Sequence, residues 1–110
     1  MWMVRTDCLC RNHLLGEHKE LHQAVGSIRN NRSLAGHIAR GQVEVHNIRK
    51  RHTELVKELK KRGYKHQSPL KNFKSYKAGK INILENYQVL EARCKECSKR
   101  IKNSKLGTKA

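Results

Sequence analysis

Two carboxylates and a histidine recur along one strip of residues 13–22, at the spacing of an α-helix. His13, Glu17 and Glu20 stand three or four residues apart, so a helix would place them on one face. Acidic residues are scarce in a chain with 25 Lys+Arg and only 9 Asp+Glu. A carboxylate that faces a positive cleft can stabilise a developing cation or activate a nucleophile. Glu20 is a candidate for such a role if it faces a positive cleft, whereas Glu17, beside Lys19, is expected to form a weak surface ion pair.

Four cysteines form two close pairs near the ends of the chain, Cys8 with Cys10 and Cys94 with Cys97. Four thiolates can bind zinc tetrahedrally, and such a site would join the two ends of the chain. The alternative is that Cys94 and Cys97 lie in the buried stripe of the last helix as small apolar residues. Our first interpretation is that no metal is bound, and a zinc site is the alternative.

His18 and His22 lie one helical turn apart, a spacing that can bind metal. The segment lacks the glutamate of the His-Glu-x-x-His pattern, and His18 falls between Leu14 and Leu21 on the apolar side of the helix. We therefore expect these histidines to be packed or half-buried rather than to bind a metal.

The formal net charge of +16 at neutral pH attracts nucleic acid or an anionic membrane surface. No apolar run approaches the ~20 residues of a membrane span, and residues 1–5 are too short for a signal peptide. We therefore expect a soluble, cytoplasmic protein that binds nucleic acid and needs no obligate protein partner. The loop with Lys71 and Lys74 and the C-terminal segment from Arg93 carry most of the excess charge, so these side chains are expected to contact phosphates.

Hydrophobic periodicity predicts an all-α fold, with three main helices, one short helix and a long basic loop in one domain. The predicted helices cover about residues 8–29, 33–41, 48–62 and 82–101, and residues 64–79 form the loop. No segment alternates with period two for long enough to indicate a sheet. Residues 1–101 are expected to form the helical domain, and residues 102–110 a basic, flexible tail.

Local signals predict where these helices begin and end. Thr6 or the residue after it is the expected cap of the first helix, and Asn47 is the expected cap of the second long one. Gly63 follows three basic residues, a position where a C-terminal glycine cap is typical. Asn82, with an acidic residue three positions later, resembles a capping box at the start of the last helix.

Two predicted helices carry a recognisable pattern. The first reads His13-Leu-Leu-Gly-Glu-His-Lys-Glu-Leu followed by Val25-Gly26, and the second reads Ile48-Arg-Lys-Arg-His-Thr-Glu-Leu-Val, continuing into Leu59-Lys-Lys-Arg-Gly-Tyr64. Together they resemble the first and central helices of the phage pyrimidine-dimer DNA glycosylases of the endonuclease V type. Ala92-Arg93 is similar to a short piece of the family's last helix, and the likeness covers roughly residues 1–66.

The resemblance implies a compact helical enzyme that binds duplex DNA at a cyclobutane pyrimidine dimer, kinks the double helix and extrudes a base. It also implies that the α-amine of the first residue attacks C1′ of the damaged nucleotide, releases the base and forms an imine. β-Elimination then cuts the DNA backbone, while a glutamate on the first helix stabilises the sugar cation and transfers protons. No cofactor takes part in this chemistry.

The functional positions of the family map onto particular residues of this chain. The glutamate falls on Glu20 and the histidine on His13, while Lys19 stands where the family typically has arginine. Gln23 stands at the position of a further arginine, and Arg93 lies in the short C-terminal match. The resemblance therefore implies that His13, Lys19, Gln23 and Arg93 contact DNA. The chain departs from the family at its lysine-rich end, where the family has an aromatic segment.

The nucleophile that the resemblance implies is the α-amine of Met1. The family typically exposes threonine after its methionine is removed, but here Trp2 follows Met1, and a residue of that size should block the removal. A terminal amine has a pKa of about 8, so part of it is unprotonated at neutral pH and can form a Schiff base. Met1 and Glu20 are therefore the catalytic candidates.

Two other functions fit the same residues. One is a non-catalytic DNA-binding protein that uses the basic surface, with its ends joined by zinc at the four cysteines. The other is a lyase that acts on abasic sites in general and does not recognise dimers.

Overall fold

The computed structural model describes residues 1–65 and 68–109, and these residues form α-helices and connecting segments with no strand. The helices are α1 (Arg11–Arg29), α2 (Ala35–Ala39), α3 (Ile48–Lys61), α4 (Ile83–Arg93) and α5 (Lys95–Lys109). Single 3₁₀ turns, Thr6–Cys8 and Val45–Asn47, precede α1 and α3. The all-α prediction is confirmed. Among the helices of the described residues, none has the length and apolarity to cross a membrane.

The first helix begins at Arg11, three residues later than its sequence predicts, because its cap is a cysteine. Cys10 has extended backbone, and its Sγ accepts a hydrogen bond from the His13 N–H at 3.4 Å. The predicted cap at Thr6 or Asp7 is therefore wrong, since both residues lie in the preceding 3₁₀ turn. Sulfur replaces the hydroxyl or carboxylate oxygen that usually satisfies a free N–H in the first turn.

Residues with a left-handed backbone conformation follow three of the described helices and reverse the direction of the chain. Gly63, with φ of +91°, follows α3, and the next N–H, that of Tyr64, donates to the Leu59 carbonyl at 3.0 Å. This is a Schellman ending, and it confirms the predicted glycine cap. Asn31 after α1 and Gly41 after α2 are also left-handed, with φ of +55° and +66°.

The predicted caps of the later helices have different outcomes. Asn82 caps α4 as predicted, since its Oδ1 accepts from the Glu85 N–H at 3.0 Å. Asn47 precedes α3 but makes no capping bond, and its amide instead donates to Glu44 Oε1 at 2.7 Å.

The predicted last helix is two helices, because the chain breaks at Cys94. Cys94 has extended backbone, with φ of −127° and ψ of 113°, between α4 and α5. The buried stripe nevertheless continues across the break through Leu90, Cys97 and Ile101, which is why periodicity suggested one helix. The backbone of α5 remains helical to Lys109, and the division into a domain of residues 1–101 and a tail of residues 102–110 stays a prediction.

The basic loop between α3 and α4 has no helix among its described residues, as predicted, and its end packs against the segment before α3. The Val45 N–H donates to the Ala78 carbonyl at 2.9 Å. Gly79 has a φ of +91°, and a Cβ atom there would overlap the Val43 carbonyl oxygen. The loop therefore needs glycine at this point, for both its conformation and its close approach.

A buried ion pair joins α1 to α3 in the centre of an otherwise aliphatic core. Arg51 donates to both carboxylate oxygens of Glu17, at 2.6 and 2.9 Å, and the two side chains are 3% and 0% exposed. The same guanidinium donates to the Val4 carbonyl at 2.7 Å and to Glu54 at 3.3 Å. Burial alone would lower the pKa of Arg51, but the hydrogen bonds and negative charge of Glu17 raise it.

The predicted surface position of Glu17 is therefore wrong. Glu17 follows Leu14 by three residues and precedes Leu21 by four, so it lies on the apolar face of α1. A carboxylate can occupy that face only because a guanidinium satisfies both of its oxygens there.

Glu17→Gln should lower the free energy of unfolding by about 3 to 5 kcal/mol, because it leaves the Arg51 guanidinium buried without its counter-charge. Urea denaturation followed by circular dichroism measures the loss. The matched control is Glu54→Gln, which removes the partly exposed partner of the same guanidinium and should cost less than about 1 kcal/mol. Equally small losses for both variants would contradict the central role of Glu17.

Candidate functional site

The N-terminal arm, residues 1–5, is held by hydrogen bonds to α3 and α4. The Trp2 carbonyl accepts from the Asn86 amide at 2.8 Å, and the Arg5 N–H donates to the Tyr87 hydroxyl at 2.9 Å. Between these two contacts, the Arg51 guanidinium donates a hydrogen bond to the Val4 carbonyl. Met3 bends the arm with a φ of +61°. These contacts turn the start of the chain towards α1.

The amino group of Met1 lies beside the Glu20 carboxylate. Its nitrogen is 3.6 Å from Glu20 Oε2 and donates a hydrogen bond to the Gln42 carbonyl at 3.2 Å. The Met1 side chain is 2% exposed, and its sulfur accepts from the Glu44 N–H at 3.5 Å. The Glu20 side chain is 56% exposed. The buried methionine side chain thus anchors an amine that faces a solvent-accessible carboxylate.

Amine and carboxylate share a cleft with a volume of about 470 Å³. That volume lies within the range typical of small-molecule sites, which is about 300–1,000 Å³. Its walls come from the N-terminal arm, α1, α2, the segment after α2 and α4. The polar lining residues besides Met1 and Glu20 are Gln23, Ser27, His37, Arg40, Gln42 and Asn86.

An amine next to a carboxylate in an open cleft has a definite chemical capacity. The amine can attack an electrophilic carbon once it is unprotonated, and the carboxylate can accept the proton that is lost. Glu20 lies three residues after Glu17 on α1, which rotates it by about 60° from the buried face to the edge of the cleft. The two glutamates therefore lie in different surroundings, Glu17 in the core and Glu20 at the edge of the cleft.

The predicted DNA contacts lie at several places. Gln23 lines the cleft, and Lys19 is exposed on α1 next to Glu20. Lys71 and Lys74 are exposed in the basic loop. Arg93 lies in a different depression at the α4–α5 junction, with three lysines around it. Their contact with DNA stays a prediction.

Sequence reasoning missed five of the polar residues that line the cleft, namely Ser27, His37, Arg40, Gln42 and Asn86. His37 lies on α2, Arg40 directly follows α2 and Asn86 lies on α4, and no spacing rule relates these positions to the N-terminus. One available signal was Gly41, since a glycine after a short helix predicts a tight reversal. That reversal is what brings the Gln42 carbonyl to the amine.

The structure brings together three of the four cysteines, and His13 in place of the fourth. The ligand atoms of Cys10, His13, Cys94 and Cys97 all lie within 4.8 Å of one another. Cys8 is buried but does not belong to this group, so the predicted four-thiolate set is wrong in that member.

The pKa values of three thiols, those of Cys8, Cys94 and Cys97, are shifted. Burial raises the pKa of Cys8, and it raises the pKa of Cys97 to about 12. The backbone N–H of Cys97 hydrogen-bonds the Cys94 sulfur and lowers the pKa of Cys94. His13, the residue that the resemblance assigned to DNA, directs Nδ1 at Cys10 and Cys97, with N···S distances of 3.0 and 3.4 Å.

Three histidines pack between α1, α3 and the basic loop. The rings of His18 and His52 are stacked with centroids 4.9 Å apart, and His22 meets His52 edge-on at 5.1 Å. His22 and His52 both donate from Nε2 to the Ser68 carbonyl, at 3.1 and 3.0 Å. The ring nitrogens of all three histidines are close enough to bind a metal. The shared Ser68 carbonyl, however, accounts for the positions of the His22 and His52 rings.

A family model described as "Pyrimidine dimer DNA glycosylase" matches residues 1–72. No curated protein and no solved structure gives a significant match. The matched segment contains Met1, Glu20 and Gln42, whereas Asn86 and the two C-terminal thiols lie outside it.

The histidine cluster predicts a pH dependence of stability. Burial lowers the pKa of His52 below 6.5, the Ser68 carbonyl opposes that shift, and the charges of His22 and Arg49 add to it. Because the folded protein favours the neutral ring, His52 contributes to the free energy of unfolding. This contribution is fully present above about pH 6.5 and is lost as the pH falls through the lowered pKa of His52. The free energy of unfolding should therefore decrease between about pH 7.5 and pH 5.5.

Urea denaturation of His52→Gln tests whether His52 causes this pH dependence of stability. The glutamine keeps an amide donor for the Ser68 carbonyl. The variant should show a smaller decrease over the same pH range than the unmodified protein. His37→Gln changes an exposed histidine and should leave the decrease as it was. An identical pH profile for His52→Gln and the unmodified protein would rule out His52 as its source.

Proposed function

The chain belongs to the pyrimidine dimer DNA glycosylase family, and we propose that it excises damaged pyrimidines and cleaves the resulting abasic site with the amino group of Met1. The observation that carries this proposal is the distance of 3.6 Å between the Met1 nitrogen and Glu20 Oε2 at an open cleft. Both residues lie inside the segment that matches the family model. The lyase step and the roles of the two residues are part of the proposal.

In the first step the unprotonated amine attacks C1′ of the damaged nucleotide. A bond forms between the Met1 nitrogen and C1′, the bond from C1′ to the base breaks, and the base leaves with a proton. The sugar ring then opens at O4′, which takes a proton, and the C1′–N bond becomes an imine. The carboxylate of Glu20 stabilises positive charge on the sugar and accepts the proton that the amine gives up.

In the second step the imine acidifies the protons on C2′. Loss of one C2′ proton to a base within reach, for which Glu20 is the candidate, allows the bond between C3′ and its phosphate to break. The strand is cut by β-elimination, and hydrolysis of the imine returns the amine. No metal is needed, because the imine itself withdraws the electrons.

The surroundings of the cleft suit an extruded nucleotide. Arg40 and His37 lie on one wall of the cleft and Gln23 lies on another. Hydrogen-bond donors on both walls would therefore face the negatively charged phosphate backbone of the DNA. Extrusion costs a few kcal/mol, and it costs least for a damaged base that is already poorly stacked. The net charge of +16 supplies the sequence-independent attraction to duplex DNA.

Borohydride should trap a covalent complex between the protein and ultraviolet-irradiated duplex DNA, because it reduces the imine to a stable amine. Gel electrophoresis measures the complex, and mass spectrometry of the trapped peptide should find the sugar on the Met1 nitrogen. Undamaged duplex is the negative control. A trapped lysine side chain, or no trapped species on damaged DNA, would contradict the proposed nucleophile.

Glu20→Gln should lower strand cleavage of irradiated DNA by about 100-fold or more, because an amide cannot accept the proton. Glu85→Gln, which changes an exposed carboxylate on α4, is the matched control and should cleave normally. Salt-dependent DNA binding, measured by fluorescence anisotropy, should persist in both variants. Normal cleavage by Glu20→Gln would overturn the catalytic assignment.

A Gly-Ser extension before Met1 should abolish cleavage, since it converts the amine into an amide, while leaving DNA binding intact. Comparing a dimer-containing duplex with an abasic duplex then defines the substrate. Cleavage of both supports a glycosylase with lyase activity, and cleavage of the abasic duplex alone would reduce the function to a general abasic lyase.

A further inference from the structure

Cys10, His13, Cys94 and Cys97, here called the Cys₃His cluster, are arranged as two similar pairs. In each pair a cysteine immediately precedes a helix, and the second residue follows three positions later in the first turn of that helix. The first sulfur of each pair accepts from the backbone N–H of the second residue, at 3.4 Å for Cys10 and 3.5 Å for Cys94. Two helix starts thus converge with their side-chain ligands facing each other.

Three ligand-to-ligand distances in the cluster are close to those around a tetrahedral zinc ion, and all such distances are at most 4.8 Å. Zn–S distances of about 2.3 Å place two sulfur ligands about 3.8 Å apart, and a sulfur and a histidine nitrogen slightly closer. The Cys10 and Cys94 sulfur atoms are 3.8 Å apart. Nδ1 of His13 is 3.0 and 3.4 Å from two of the sulfurs, so only small adjustments would be required.

We propose that the Cys₃His cluster binds one zinc ion as a closed structural site. Four protein ligands fill the tetrahedron, which is the arrangement of structural rather than catalytic zinc. Cys10 and Cys97 are buried and Cys94 and His13 are half-buried, so solvent has little access. The inference is independent of the reaction at Met1, because no atom of the cluster lines the cleft.

The hydrogen bonds around the cluster also suit thiolates. Cys97 Sγ accepts from the Cys10 N–H at 3.2 Å, in addition to the capping bonds within each pair. Backbone N–H groups at the start of a helix stabilise negative charge on sulfur, and such outer contacts orient metal ligands. A zinc site also accounts for the break at Cys94, which directs its sulfur towards Cys10 instead of continuing the helix.

The site would stabilise the wall that holds the N-terminal arm. The ion would connect the start of α1 to the junction between α4 and α5, and α4 supplies Asn86 and Tyr87 to the arm. Trp2 packs edge-on against the His13 ring, with centroids 5.7 Å apart. Zinc would therefore position the arm without contacting the reacting atoms.

Metal analysis of the full chain, purified under reducing conditions, is the first test. We expect about one zinc per chain, and removal by a chelator should lower the thermal unfolding temperature. Cys8→Ser is the matched control, because Cys8 is a buried cysteine outside the cluster, and it should keep the zinc. Cys97→Ser should lose it.

A second measurement covers the case in which Cys97→Ser fails to fold. Co²⁺ added to the metal-free protein should give the visible bands of a tetrahedral site with thiolate charge-transfer absorption. His13→Cys should keep the metal and increase the charge-transfer intensity by about one third, as three thiolates become four.

Three outcomes would overturn the proposal. The first is reduced protein that contains no zinc and gives no cobalt bands after metal is added. The second is loss of metal from Cys8→Ser to the same degree as from Cys97→Ser. The third is a disulfide between Cys10 and Cys94 in protein purified without reductant, which would make the cluster a redox pair instead.

Discussion

One guanidinium, that of Arg51, connects the parts of the molecule on which the site depends. It is buried, and it joins the Glu17 carboxylate of α1 to α3 and to the Val4 carbonyl of the N-terminal arm. Burying both charges is costly, so the geometry must satisfy the hydrogen-bonding groups on each side. Because Glu20 lies less than one turn beyond Glu17, the ion pair that locks α1 against α3 also sets where the catalytic candidate lies relative to the arm.

Much of the helical framework could be predicted, because periodicity and capping residues report on local structure. The two long helices and the glycine after α3 came from such signals. Helical periodicity gave a wrong prediction for Glu17, because a spacing of three or four residues places side chains on one face without indicating whether that face is buried. It also misled at Cys94, because a cysteine that ends a helix and one that lines a core look alike in sequence.

The site itself was only half predictable. Glu20 and Met1 came from a resemblance that covers α1 and α3, and the structure brings their charged groups within 3.6 Å. His37, Arg40 and Asn86 could not be identified, since they reach the cleft through left-handed turns and long-range contacts. His13 has neighbours that the family position did not predict, because the chain outside the matched segment supplies two sulfurs that lie close to it.

The close approach of Gly79 to Val43 places the end of the basic loop against the backbone segment next to the amine. The Val43 carbonyl leaves no room for a side chain at Gly79, and the Gln42 carbonyl that holds the Met1 nitrogen is one peptide unit away. A side chain at Gly79 would displace the Val43 carbonyl and, with it, the neighbouring peptide group that accepts from the Met1 amine. The end of the basic loop thus has a steric relation to the amine, although none of its described residues lines the cleft.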